Sequence, residues 1–133
     1  MEEHVSPREQ ISIAVVEDDA GFRESLVSLI GTRSDFRFAG AFASAEEALD
    51  SLKNTPPRVL LLDIRLPGES GSRAVKKFVE LFPGIVVLML TQYLDDDVVF
   101  EALCGGASGY LLKRTAPPRL LEAVVDACDG GAP

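Results

Sequence analysis

Five short apolar runs alternate along this chain with five segments of helical spacing, and no other feature constrains the fold as tightly. The runs are Ile11–Val16, Phe36–Ala43, Val59–Leu62, Ile85–Leu90 and Tyr110–Leu112. VLLL and IVVLML carry no polar alternation, so both faces of those strands are expected to be covered; FRFAGAFA reads as an edge strand. Between the runs, Phe22, Leu26, Leu29 and Ile30 repeat at helical spacing before Gly31. Ser44-Ala-Glu-Glu47 opens a second helix as a capping box, which runs to about Asn54 and is ended by Pro56-Pro57. Ala74, Val75, Phe78, Val79 and Leu81 mark a third helix, closed by Pro83-Gly84. Asp95, Asp96 and Asp97 place negative charge at the start of a fourth, which ends at Gly105-Gly106. Pro117 suits the first turn of the last, through about Asp129, before Gly130-Gly131. Strands and helices alternating in this way predict one α/β domain, a parallel sheet with helices on both faces.

Composition narrows the function. The 133 residues are 47% hydrophobic and 26% charged, enough to bury a core without disulfides. Residues 1–10 are polar and aperiodic and read as a loose tail, leaving 11–131 as the domain. The longest apolar run, Ile85–Leu90, is too short to cross a bilayer, and no charged segment precedes an apolar one at the N-terminus, so neither membrane insertion nor a secretory leader is expected. A formal net charge of -8 makes the chain by itself a poor binder of nucleic-acid phosphates. Cys104 and Cys128 form no zinc spacing or disulfide framework, and the lone His4 lies in the tail. A reduced, cytoplasmic setting without histidine chemistry is the expectation.

In open α/β sheets, ligands bind beyond the C-terminal ends of the strands. Glu17, Asp18 and Asp19 follow the first run, Asp63 the third, Thr91 the fourth and Lys113 the fifth. A strand order of 2-1-3-4-5 would bring these groups to one edge. Carboxylates gathered there repel, a hard divalent cation such as Mg2+ relieves the repulsion, and Lys113 and Thr91 add a positive charge and a donor. Such a pocket suits a phosphoryl group, with one carboxylate as nucleophile. Each residue has a plainer reading alone: solvated loop acids, an Asx-turn at Asp63, an exposed lysine, a strand-end hydroxyl. Their joint placement argues for the site.

The motifs VVEDD, LLLDIRLPGESG, LMLTQY and GASGYLLK, in this order, resemble the receiver domain of two-component response regulators over residues 11–131. GASGYLLK, with PPRLLEAV and GGA after it, is similar to the NarL/FixJ subfamily, whose receivers precede a LuxR-like helix-turn-helix that binds DNA. No such segment lies in this chain, and the natural protein is expected to continue into one. The resemblance implies a flavodoxin-like (βα)5 fold with the doubly wound five-stranded parallel order 2-1-3-4-5. It implies Asp63 as phospho-acceptor for a sensor histidine kinase. Mg2+ would be held by Asp18, Glu17, Asp63 and the backbone carbonyl of Arg65, with Asp18 the more direct of the acid pair and Asp19 a helix-start residue. Lys113 would pair with Asp63 and then with the phosphoryl oxygens, Thr91 would bond a phosphoryl oxygen, and Tyr110 would be the aromatic switch. The implied protein is no enzyme toward external substrates; it catalyses only its own phosphorylation and dephosphorylation, controls transcription, and can form a homodimer.

The chain departs from the family pattern at three places. Arg114 stands where Pro often follows the lysine, Gln92 replaces a small residue after Thr91, and Ala116 replaces a capping hydroxyl. Arg65 argues against two rivals, a haloacid-dehalogenase-type phosphatase and a Toprim-like nucleic-acid domain, because each requires a second acid two residues after Asp63. A degenerate receiver that binds partners without phosphorylation remains the alternative.

Overall fold

The computed structural model describes residues 10–129. The expected tail 1–10, apart from Gln10, and the Gly130-Gly131 stop lie outside the described residues. The elements are β1 (Ile11–Val16), α1 (Ala20–Ile30), β2 (Phe36–Phe42), α2 (Ala45–Leu52), β3 (Val59–Asp63), α3 (Gly71–Leu81), β4 (Val86–Thr91), α4 (Asp96–Cys104), β5 (Gly109–Leu112) and α5 (Pro117–Cys128). All strand pairs are parallel and the order is β2-β1-β3-β4-β5, so β2 is an edge as its sequence predicts.

Side-chain alternation sorts the core into two layers. Ala14, Val16, Leu60, Leu62, Val87 and Met89 face α2, α3 and α4, where Ala48, Leu52, Val75, Phe78 and Ala102 meet them. Ile13, Val15, Leu61, Leu88 and Leu90 face α1 and α5, against Leu26, Ile30, Leu120, Leu121 and Val124. The polar ends of the strands continue this alternation. Glu17 follows Val15, Asp63 follows Leu61 and Lys113 follows Leu111 in steps of two, so all three share the parity of the α1/α5 face.

Boundaries differ from the sequence expectation by a residue or two. β3 and β4 run on to include Asp63 and Thr91, because backbone pairing continues past the last apolar side chain: Asp63 pairs with Leu90 and Thr91 with Leu112. α2 ends at Leu52 rather than near Asn54, its last turn tightened by the Thr55 N–H donating to the Leu52 carbonyl at 3.1 Å. The capping box forms, with the Glu47 N–H on Ser44 Oγ at 3.2 Å; Glu47 reaches back one residue further than the usual pattern, to the Ala43 N–H at 3.1 Å. Ala116 gives α5 no side-chain cap. Pro117 and Pro118 occupy the first two helical positions, and each removes an N–H that would otherwise need a partner.

At Gly71 the first residue of α3 comes up against the end of β3. A Cβ there would stand 1.9 Å from the Asp63 carbonyl oxygen and 3.1 Å from Ile64 Cα. Only glycine lets α3 start directly against the end of β3. Gly71→Ala is expected to lower stability by about 1–3 kcal/mol, the usual cost of overpacking. A urea titration checks this: the midpoint should fall with an unchanged slope.

Candidate functional site

The strand order sets the C-terminal ends of β1, β3, β4 and β5 in a row. Glu17 is fully buried there: its N–H donates to the Phe42 carbonyl at 2.9 Å, its Oε2 accepts the Asp19 N–H at 3.1 Å, and Arg23 Nη1 donates to its carbonyl at 2.7 Å. Asp63 is also buried. Its Oδ1 accepts the Arg65 N–H at 3.1 Å, the Asx-type bond of the plainer reading. Its Oδ2 accepts from Lys113 Nζ at 3.2 Å. The same ammonium stands 2.8 Å from Glu17 Oε1, at an angle outside hydrogen-bond geometry, so that buried oxygen is paired in charge but carries no hydrogen bond. Lys113 is itself placed by its N–H, which donates to the Thr91 carbonyl at 2.8 Å.

Asp18 is exposed beside this pair. Glu17, Asp18 and Asp63 each present a carboxylate oxygen within 4.8 Å of the others. Asp19, as the sequence suggests, belongs to the helix: its Oδ1 accepts the N–H groups of Gly21 and Phe22 at 2.9 and 3.2 Å and caps α1. Three clustered carboxylates thus face one ammonium. Burial pushes the Asp63 carboxyl up to about 7; the Arg65 amide opposes this, the Glu17 charge adds to it and the Lys113 charge opposes it. Burial alone would lower the Lys113 ammonium, but Glu17 and Asp63 outweigh it and hold the group above the ordinary lysine value. A set of hard oxygen donors with surplus negative charge and one buried, unbonded Oε1 fits a small divalent cation.

The remaining sequence candidates are less tightly gathered. Thr91 is buried, but its hydroxyl donates to the Tyr93 carbonyl at 2.6 Å, inside its own loop. Tyr110 is 43% exposed, its backbone paired with Met89. Arg65 is exposed, and its guanidinium pairs with Asp95 at 3.3 Å. Gln92 is exposed. Two cavities are not lined by Glu17, Asp18 or Asp63. One of about 650 Å³ is bordered by Leu103, Tyr110 and Ala123, and one of about 750 Å³ by Arg65, Ser72 and Arg73. Two residues near the acid site escape the sequence reading. Gly71 had a detectable signal, a glycine at the start of a helix close after the acid. Phe22, read from its spacing as core, also lies against Lys113, which periodicity cannot show.

The response regulator receiver domain family matches residues 13–125, nearly all of the chain. The chain belongs to the response regulator receiver family. Among curated proteins it is 35% identical over 121 residues to the transcriptional regulatory protein LnrK of Bacillus subtilis (strain 168), covering 91% of this chain and 55% of that protein. It is 32% identical over 123 residues to the transcriptional regulatory protein DegU of Brevibacillus brevis, covering 92% and 52%. Among solved structures, the signal receiver domain of a NarL response regulator from Mycobacterium tuberculosis superposes with a TM-score of 0.85 at 29% identity, covering 92% of this chain and 98% of that one. The chain spans about half the length of the curated relatives it matches. The receiver fold and the NarL/LuxR-type kinship expected from the motifs both hold.

The raised Asp63 carboxyl has a consequence for stability. Its folded value of about 7 lies above the unfolded value of about 3.9, so the folded state binds the proton more tightly. The associated stability is present below about pH 4 and is lost as pH rises through 7. Without divalent cation, Asp63→Asn is therefore expected to raise the melting temperature by several degrees at pH 8 and to change it little at pH 4. If the acid cluster takes up Mg2+, added Mg2+ should narrow the gap at pH 8 by stabilising the wild type more than the variant. Thermal melts of both proteins at the two pH values, with EDTA and with Mg2+, check it.

Proposed function

We propose that this receiver accepts a phosphoryl group on Asp63 from a sensor histidine kinase in the cytoplasm. The phosphorylated form switches an output that acts on transcription. The observation that carries the reading is the placement of two buried carboxylates, Glu17 and Asp63, around one Lys113, with Asp18 at their rim. In the transfer, an Asp63 Oδ forms the new P–O bond while the P–N bond of a phosphohistidine breaks, and its electron pair stays on the imidazole nitrogen. Glu17, Asp18 and Asp63 would hold Mg2+, with the Arg65 backbone carbonyl as a further ligand. When bound, Mg2+ supplies the positive charge that offsets the incoming phosphoryl oxygens. Lys113 gives up part of its contact with Asp63 Oδ2 and turns to a phosphoryl oxygen.

Thr91 then exchanges partners. Its hydroxyl leaves the Tyr93 carbonyl for a phosphoryl oxygen, freeing the loop from Gln92 to Asp95, and Tyr110 turns inward. A neutral hydrogen bond is worth about 0.5–1.5 kcal/mol and one to a charged acceptor about 1.5–3. The exchange therefore gains at most about 2.5 kcal/mol, less than the roughly 5.5 kcal/mol needed to invert a 99:1 population. Lys113 and the metal supply the remainder, or the resting bias is smaller. The apolar surface exposed at Tyr93, Leu94, Phe100, Leu103 and Tyr110 leaves room for self-association.

Intact-mass measurement with acetyl phosphate and Mg2+ tests the reading. One phosphoryl group should add to the wild type and none to Asp63→Asn. A wild type that stays unlabelled would favour the degenerate, phosphorylation-independent binding module. Metal titration tests the acid pair. Asp18→Ala should weaken Mg2+ binding by more than the roughly 10-fold that loss of even an outer-shell partner costs. Asp19→Ala should leave Mg2+ binding intact and cost about 0.5–2 kcal/mol of stability as a lost cap. Equal effects on the metal from both substitutions would show that the pair is misassigned.

A further inference from the structure

We infer that Phe22 is a positioning residue for Lys113, holding the ammonium between Glu17 and Asp63; the rate consequence rests on the proposed transfer to Asp63. Lys113 Nζ lies 5.3 Å from the centroid of the Phe22 ring, within the range where an ammonium is drawn to an aromatic face. Its two other near neighbours are Glu17 Oε1 at 2.8 Å and Asp63 Oδ2 at 3.2 Å. The ring adds an aromatic neighbour to the two carboxylates, and the Lys113 side chain is left only 19% exposed. A lysine on a flexible four-carbon stem would otherwise trade these contacts for water.

Phe22 is itself held by its helix turn and by core packing. Phe22 sits in the first turn of α1, where its N–H donates to the Asp19 cap at 3.2 Å. Its neighbour Arg23 ties that turn to β1 through the 2.7 Å bond from Nη1 to the Glu17 carbonyl. The ring also packs partly buried on the α1/α5 core. The start of α1 therefore carries both the cap that orders the helix and the wall that places the lysine. A rate effect follows because Lys113 must lie next to Asp63 when the phosphoryl group arrives. The variant that matters keeps apolar bulk and removes the aromatic face: Phe22→Leu. Phe22→Tyr keeps the face.

The test reads two quantities on the wild type and both variants. The first is the NMR shift of the Lys113 ε-methylene protons, which the ring current moves upfield, taken without phosphodonor. The second is the rate of phosphorylation by acetyl phosphate with Mg2+. Phe22→Leu should return the methylene shift toward the ordinary lysine value and slow phosphorylation roughly 2- to 30-fold, the span a cation–π contact implies. Phe22→Tyr should keep both near wild type. A Leu variant with unchanged shift or unchanged rate overturns the inference, as does equal slowing in both variants, which would mark Phe22 as packing alone. A wild type that takes up no phosphoryl group overturns Asp63 as acceptor instead; the order of the Lys113 ammonium, read by NMR relaxation, then decides whether Phe22 holds Lys113, and equal order in wild type and Phe22→Leu overturns the inference.

Discussion

Two buried carboxylates share one ammonium at the end of this sheet, and that imbalance shapes the site. Glu17 and Asp63 are withdrawn from water by strands covered on both faces, and Lys113 reaches both. Burying like charges together is unfavourable unless opposite charge and hydrogen bonds compensate. The compensation here is partial. Arg65 and Asp19 give backbone N–H bonds, Lys113 gives charge, yet Glu17 Oε1 lacks a hydrogen bond and Asp63 holds its proton to about pH 7. Such a site is stabilised by whatever brings positive charge to it. A divalent cation followed by a phosphoryl group would convert an electrostatic cost of folding into binding affinity.

The loops around the acids are built to different tolerances. The start of α3 is rigid by contact: Gly71 lies so close to the Asp63 carbonyl that no side chain fits. The loop after β4 is held by one hydroxyl, Thr91 on the Tyr93 carbonyl, and then by Asp95. Asp95 both caps α4 through the Val98 N–H at 3.4 Å and pairs with exposed Arg65 at 3.3 Å. Long hydrogen bonds and exposed ion pairs are weak. The β4–α4 loop is therefore held more weakly than the β3–α3 junction.

Much of this could be read from the residues in order. The apolar runs located every strand, because a parallel sheet covered on both faces demands uninterrupted hydrophobic stretches. Capping residues and glycine or proline stops placed the helices, since Ser44, Asp19 and Asp95 satisfy local N–H groups that no distant contact supplies. The acids, Thr91 and Lys113 stood out because polar residues at successive strand ends have one place to meet. The strand order came with the family resemblance, not from periodicity.

Tertiary structure decided what depends on distance and direction. Side-chain parity put Glu17, Asp63 and Lys113 on the α1/α5 side, where three groups far apart in the chain form one cluster. Their burial, and with it the raised Asp63 carboxyl, follows from which helices cover that edge. The hydroxyl of Thr91 turned to its own loop, a choice set by local geometry that composition does not record. Phe22 looked like one more apolar position of a helix until the fold brought the start of α1 to Lys113, just past the end of β5. The residues of the chain determined which chemistry was available at the strand ends. Only the packing of α1 and β3 against the lysine determined how strongly those groups act on one another, because charge interactions scale with separation and with the water excluded between them.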